Sequence, residues 1–472
     1  MREHGFEPDF PPDAEQQLKG IAPAPADGGI HNGERDLRHL LWSSIDNKTS
    51  RDLDQIEVGE QLPNGDFRVL VGIADVDAFV QPHTPIDRHA AVETVTVYTG
   101  VRNFPMLPEP LSTGITSLLE GADKLAVVID FAVGVDGTVH SEQIYRALVR
   151  NKAQLAYDDV GPWLEKVGAA PAKVAASAEL QAQLQLQDAC AQLLRNARHR
   201  RGALNIETVE TRPVLLHGDV VDIVRQDKNR ATELIEDFMI AANAVVARSL
   251  ERLGLASIRR IVRTPERWPR IVELARSFGA TLPAAPDSLA LNQFLVARRA
   301  ADPDHFADLS LAVIKLMGPG EYAVERAGNN EPDHFGLAVQ DYTHATAPNR
   351  RFADLVTQRL VKAAIGGRQS PYSEDELTSI ARDCTLKENA ARKVEREMSK
   401  RIAAVAMSHR IGETFDAIIT GVTPKGTFVR VLQPHIEGLL VRGQQGLDVG
   451  DKVGVILVRT DVEQGYIDFV RA

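Results

Sequence analysis

Two adjoining stretches near the C-terminus constrain the fold most. Glu374 to His409 is densely charged and holds no proline or glycine, which predicts one long helix. Residues 411–472 then change character, with short β-rich runs at Thr414–Thr420, Thr427–Leu432, Ile436–Val441, Lys452–Arg459 and Tyr466–Val470. Turn signals separate them at Pro424-Lys425-Gly426, Gln433-Pro434-His435 and Asp448-Val449-Gly450-Asp451. Five strands of this length predict a small closed barrel of OB type, an architecture that often binds single-stranded nucleic acid.

Upstream, strand-like runs come first. Phe67–Ala74 and Leu125–Val133 alternate or run apolar, and Asp136-Gly137 is a hairpin signal. Helical patterns follow. Residues 230–253 place Leu234, Ile235, Phe238, Ala242, Val245, Val246 and Leu250 on one stripe, and Arg350–Ala364 also reads as a helix. Strands followed by helices predict an α+β domain. Residues 1–34 are rich in Pro, Gly and Ala, with Ala22-Pro23-Ala24-Pro25-Ala26-Asp27-Gly28-Gly29 at their end. They read as an arm with at most one short helix near Ala14–Lys19. The predicted organisation is therefore an arm (1–34), an α+β catalytic domain (35–365), a helical connector (366–410) and the barrel (411–472).

No run of 18 apolar residues exists, so no membrane span is expected. Met1–Glu7 has no apolar signal core. Cys190 and Cys384 lack metal-type spacing and are expected to be reduced packing residues of a cytoplasmic protein, without zinc. The formal charge of −11 argues against a generic polyanion binder. Positive charge is nevertheless concentrated at Arg195–Arg201, at Arg259, Arg260 and Arg263, and at Arg350-Arg351. Solvated helix faces and a narrow basic channel account for these clusters equally well.

Asp46, Asp52 and Asp54 lie within nine residues. Bunched carboxylates repel unless a cation sits between them, and hard divalent ions take oxygen ligands while keeping positions open for phosphate. A pair of such ions ~3.5–4 Å apart can clamp both oxygens of a phosphodiester displacement. The run Leu40-Leu41-Trp42 leads into Asp46 as a strand ending at a loop would. Farther on, Pro348 can open a helix, which sets Arg350 near its N-terminus, where an anion is favoured. An arginine fork suits phosphate oxygens.

These segments resemble the ribonuclease II, or RNB, family over about residues 35–472. The resemblance rests on ordered pieces. They are the Asp46/Asp52/Asp54 cluster, Ile73-Ala74-Asp75-Val76, Val97-Tyr98, Phe104-Pro105-Met106-Leu107-Pro108, Ala153–Asp158, Arg201-Gly202-Ala203-Leu204, Met239–Asn243 and the His334–Leu355 block. Gly421–Val431 resembles the RNA-binding module named after ribosomal protein S-one. The resemblance implies a two-metal-ion 3′→5′ exoribonuclease that degrades single-stranded RNA to nucleoside 5′-monophosphates, with Mg²⁺ or Mn²⁺ as cofactor. It implies that Asp46, Asp52, Asp54 and position 55 hold metal, and that Arg350 meets the scissile phosphate. It places Tyr98 against the terminal nucleotide and Tyr157 and Glu236 near the sugars. Arg351 and an outward-facing Phe428 complete the implied RNA contacts. A monomer is expected.

Three departures from the family pattern bear on this reading. Gln55 stands where the family has a fourth acidic residue. Ile206 replaces an aromatic after Arg201–Leu204. The family carries cold-shock barrels before its catalytic domain, and residues 1–34 are too short for one, so a weaker grip on RNA outside the channel is expected. An RNA-binding member with weak or no catalysis, because of Gln55, stays open as an alternative. A phosphohydrolase of small nucleotides also fits the aspartates, but leaves the barrel unexplained.

Overall fold

The computed structural model describes residues 1–22, 33–208, 210–216, 219–303, 305–326, 334–339, 341–424 and 426–472. The Pro23–Gly29 part of the arm and Lys425 of one turn signal lie outside them. In chain order the elements begin with α1 (Pro12–Lys19), β1 (Arg35–Asp36), β2 (Ser43–Asp46), β3 (Gln55–Gln61), β4 (Phe67–Ala74) and α2 (Pro85–Glu93). Then come β5 (Val97–Tyr98), β6 (Asn103–Phe104), β7 (Asp123–Val133), β8 (Val139–Arg150), β9 (Ala153–Ala156), α3 (Tyr157–Leu164), α4 (Ala172–Ala175) and α5 (Ala178–Arg200). The second half adds β10 (Glu210–Leu216), β11 (Asp219–Gln226), α6 (Arg230–Arg252), β12 (Ser257–Ile261), α7 (Trp268–Ser277), α8 (Ser288–Ala301), α9 (Phe306–Met317), β13 (Glu321–Glu325), α10 (Phe352–Ile365) and α11 (Glu374–Met407). It closes with β14 (Thr414–Thr423), β15 (Gly426–Val431), β16 (Ile436–Arg442), β17 (Lys452–Asp461) and β18 (Tyr466–Arg471).

The mixed α+β architecture expected from the sequence is what forms. Seven strands make one sheet in the order β1-β8-β7-β4-β3-β2-β9. Its centre is β4, whose Val69, Val71 and Ile73 are almost fully buried, as a strand covered on both faces requires. Helices α5 and α6 pack on the sheet. Close approach of α5 needs Gly59, since a Cβ there would lie 2.8 Å from Leu186 Cδ2. The α6 stripe is buried as its periodicity predicts, and an Asn229/Thr232 capping box starts the helix. The register aligns strand ends. β2 runs parallel to β9, with Asp46 opposite Ala156, and antiparallel β3 starts with Gln55 opposite Ile73. The loops after β2 and before β3, and the start of α3, therefore meet at one sheet edge.

The long helix α11 is more than a spacer. Leu377, Ala381 and Cys384 enter the main core, while Ile402, Ala404 and Met407 enter the core of the barrel. The barrel closes in the order β14-β15-β16-β18-β17. Helices α7 to α9 bury a separate small core around Trp268, Leu291 and Phe306; nothing in the sequence reading had singled it out. The arm docks. Phe6 packs with Val97, Ala391 and Val394, and the rings of Phe10 and His89 lie 4.3 Å apart.

Two sequence expectations are corrected. Leu40–Trp42 is not strand: Leu40 N–H donates to Leu37 O and the Trp42 indole donates to the same carbonyl, so the chain turns and β2 starts at Ser43. Pro348 does not open α10, which begins at Phe352. Thr96 N–H donates to Arg350 O and Phe352 N–H to Thr94 O, which holds residues 350–352 extended instead of helical. Among the described residues, no helix is long and apolar enough to cross a membrane.

Candidate active site

The loop that carries the aspartates is pinned at both ends. Leu53 is fully buried; its N–H donates to Ser117 Oγ and its carbonyl accepts from Leu118. The Asp54 carbonyl accepts from Ala74 N–H at 2.9 Å, tying the loop to the end of β4. Each carboxylate then has a distinct partner. Asp46 accepts from Asn47 N–H (2.7 Å) and Ser50 Oγ (2.8 Å). Asp52 accepts from the Tyr98 hydroxyl at 2.8 Å. Asp54 accepts from Asn349 N–H at 3.0 Å, and its second oxygen lies 3.5 Å from Arg350 Nε.

Burial raises the pKa of Asp46, and pushes that of Asp54 up to about 7. The Asp54 carboxyl is 3% exposed whereas the Arg350 side chain is 48% exposed. The guanidinium therefore balances Asp54 on one side and still faces outward. Burial also raises the pKa of Tyr98. The Tyr157 hydroxyl is close enough to feel Asp46, Glu57 and Arg350. A cavity of about 1060 Å³ opens beside these groups, lined by Asn47, Asp52, Tyr98 and Asn349 and, from the arm, by Pro8 and Phe10.

The fold thus brings together Asp46, Asp52, Asp54, Tyr98, Tyr157 and Arg350. The remaining sequence candidates stand differently. Arg351 is locked to Asp354 by two 2.8 Å bonds. Glu236 pairs with Lys228 at 2.9 Å on α6. Phe428 is half-buried on the barrel strand β15, on the opposite side from the inward Val429 and Val431. Gln55 is buried at the start of β3. Ile206 packs on the small helical core. The other basic clusters are consumed by ion pairs: Arg195 and Arg198 with Asp237, Arg259 with Glu325, Arg260 with Glu388, and Arg263 with Glu321. Those clusters are therefore not the walls of a basic channel.

Sequence reasoning missed Asn349, which binds Asp54 through its N–H and Thr116 Oγ1 through its side chain. It also missed Glu395, which fixes the Tyr98 backbone N–H. Glu57 was readable as a charge between Ile56 and Val58 in a buried strand, and was passed over.

The donor set suits a hard cation. Every group offered at the cluster is oxygen, and the carboxylates are buried with a single guanidinium among them. Their oxygens do not converge: among the described residues, the one trio of acidic groups within 4.8 Å is Glu251, Glu325 and Asp341, outside this site. Like charges without a cation would keep Asp46, Asp52 and Asp54 apart in this way.

Comparison with known proteins places this geometry. Residues 34–367 match the RNB domain, and residues 413–472 match the RNase II-type exonuclease C-terminal S1 domain. Ribonuclease R 1 of Lactococcus lactis is 30% identical over 93% of this chain and 56% of its own length. Ribonuclease R of Thermotoga maritima is 30% identical over 93% of this chain and 65% of its own. The chain thus spans between about half and two thirds of these relatives. The solved apo form of Mycoplasma genitalium RNase R superposes with a TM-score of 0.87 at 22% identity, covering 100% of this chain and 77% of that one. Yeast Ssd1, described as a pseudonuclease, shares the fold at a TM-score of 0.70 and 18% identity, over 93% of this chain and 55% of that one.

Proposed function

The chain belongs to the RNB family, and from that premise we propose that it is a metal-dependent 3′→5′ exoribonuclease acting on single-stranded RNA and releasing nucleoside 5′-monophosphates. The observation that carries this reading is the half-exposed Arg350 beside the buried Asp54. A guanidinium fixed at one edge and open at the other is placed to meet a phosphate whose charge grows in the transition state.

Asp46, Asp52 and Asp54 are the groups that would hold Mg²⁺ or Mn²⁺, and bound ions would supply Lewis-acid chemistry at the phosphate. The chain's own residues orient the substrate. Asn349 N–H and the Ala74 bond hold Asp54 still. Asp52 fixes the Tyr98 hydroxyl, which sets the ring as a wall for the terminal base. Tyr157, at the first turn of α3, and Glu236 on α6 are assigned to the sugars, where a 2′-OH distinguishes RNA from DNA. Phe428 offers the barrel a stacking surface. Arg351 contributes to RNA binding by bracing the Arg350 turn through Asp354.

A second reading has support in Gln55, and in the shared fold of a pseudonuclease: an RNA-binding member with weak catalysis. One experiment decides between them. A 5′-labelled RNA is incubated with Mg²⁺ beside the matching DNA and the Asp54→Asn variant. Stepwise 3′ shortening of RNA alone, lowered on the order of 10⁴-fold by the variant and stopped by chelator, is the expected result. Tight RNA binding without shortening in Mg²⁺ or Mn²⁺ moves the chain to the second reading.

A further inference from the structure

Strand β3 holds a charge that nothing in the chain answers. Gln55, Glu57 and Gly59 alternate onto one face of the strand. That face is covered by α5, because Leu186 fills the space above Gly59 and Gln187 Nε2 lies 3.5 Å from the Glu57 carbonyl oxygen. Glu57 has 0% exposure, and neither carboxylate oxygen has a hydrogen-bond partner. Ser43 is paired directly across from it on β2, yet its Oγ is also unpartnered, as is Oε1 of the buried Gln187. No lysine or arginine among the described residues forms an ion pair with it, and the charged group whose field reaches it is Asp46. Tyr157 lies within reach of both carboxylates.

A carboxylate buried beside another carboxylate, with no donor and no cation, is costly. It is retained at low cost only where a positive charge arrives from outside the chain. Gln55, two residues away on the same face, is where the family pattern has an acidic side chain and this sequence has a neutral one. We propose that Glu57 is a positioning residue for the cation at Asp46, supplying from beneath the strand the negative charge that Gln55 lacks. The proposal rests on the metal-dependent reading above. It assigns Glu57 no contact with RNA. Its carboxylate acts through the cation, as outer-shell carboxylates do when they raise metal affinity 10–100-fold.

The test is calorimetric titration of Mn²⁺ into the full chain without RNA. The wild type should bind. Glu57→Gln, equal in shape and lacking the charge, should bind about 10–100-fold more weakly. Its melting temperature without Mn²⁺ should match or exceed the wild type's, because no buried charge remains. Adding Gln55→Asp to Glu57→Gln should return affinity to within about threefold of the wild type. Unchanged Mn²⁺ affinity in Glu57→Gln overturns the proposal while leaving the metal-dependent reading intact. Absence of Mn²⁺ binding in the wild type removes that reading, and the proposal with it. Should Glu57→Gln fail to fold, the Gln55→Asp/Glu57→Val chain carries the test. Wild-type affinity in it supports the exchange of one carboxylate for the other; affinity tenfold tighter shows that Glu57 contributed nothing.

Discussion

Asp54 and Asp237 are both buried aspartates beside arginine, and they are finished differently. At Asp237 two guanidiniums close in, Arg195 Nε at 3.2 Å and Arg198 on the other oxygen, and the Arg198 side chain is itself 8% exposed. At Asp54 a single guanidinium stands off at 3.5 Å and stays half-exposed. Burial pushes the first carboxyl up to about 6 and the second up to about 7. The saturated pair between α5 and α6 joins two helices. The unsaturated one, at the sheet edge, keeps attraction in reserve for something the chain does not contain. Saturation, not the mere presence of Asp and Arg, separates a brace from a site.

That contrast can be broken by exchanging the expected outcomes of the two arginine–aspartate pairs. Arg350→Ala should lower the rate of RNA shortening by about 10²–10³-fold, the size of losing a preorganised anion contact, with the melting temperature little changed. A large fall in stability with activity per folded molecule kept would make Arg350 a brace as well. Asp237→Asn should do the reverse, removing roughly 3 kcal/mol of stability as two guanidiniums lose their shared carboxylate. Chemical denaturation reads this directly, and unchanged stability would dissolve the comparison.

Phe428→Ala sharpens it from outside. A stacked base is worth ~1–3 kcal/mol, so RNA affinity should fall about tenfold while turnover on saturating RNA holds; fluorescence anisotropy measures it. The smallest effect concerns pH. Burial holds His334 down at about 4 and His344 well below its usual value. An unfolded histidine takes its proton near pH 6.5. Between about pH 6.5 and 4 the unfolded chain therefore binds more protons than the folded one, and stability falls as pH falls. Melting temperatures should be flat above pH 7 and decline below 6, and less so in His334→Gln.

Much of the architecture was legible because it follows local periodicity. The barrel strands lie within a few residues of the runs predicted for them, since alternation and turn chemistry act over a handful of residues. The α6 stripe and the long α11 were readable for the same reason. Helices α7 to α9 were not, because their apolar positions acquire meaning only when the three pack together. The start of α10 was misread because Pro348 is a local signal overruled by a distant one, the bridge from Thr94 and Thr96 to residues 350–352.

The site divides along the same line. The sequence by itself determined which groups are available: three aspartates in one loop, an arginine after a proline, a glutamine where the family pattern has an acid. Which charges are already spent depended on partners far along the chain. Arg260 is neutralised by Glu388 and Arg198 by Asp237, while Arg350 reaches across to Asp54 and remains open. Glu57 looks like an ordinary strand glutamate until α5 covers it and leaves both oxygens unanswered. Only the tertiary structure decided these, because the energy of a charge is set by its solvation and its neighbours in space, and neither is written in the residues beside it.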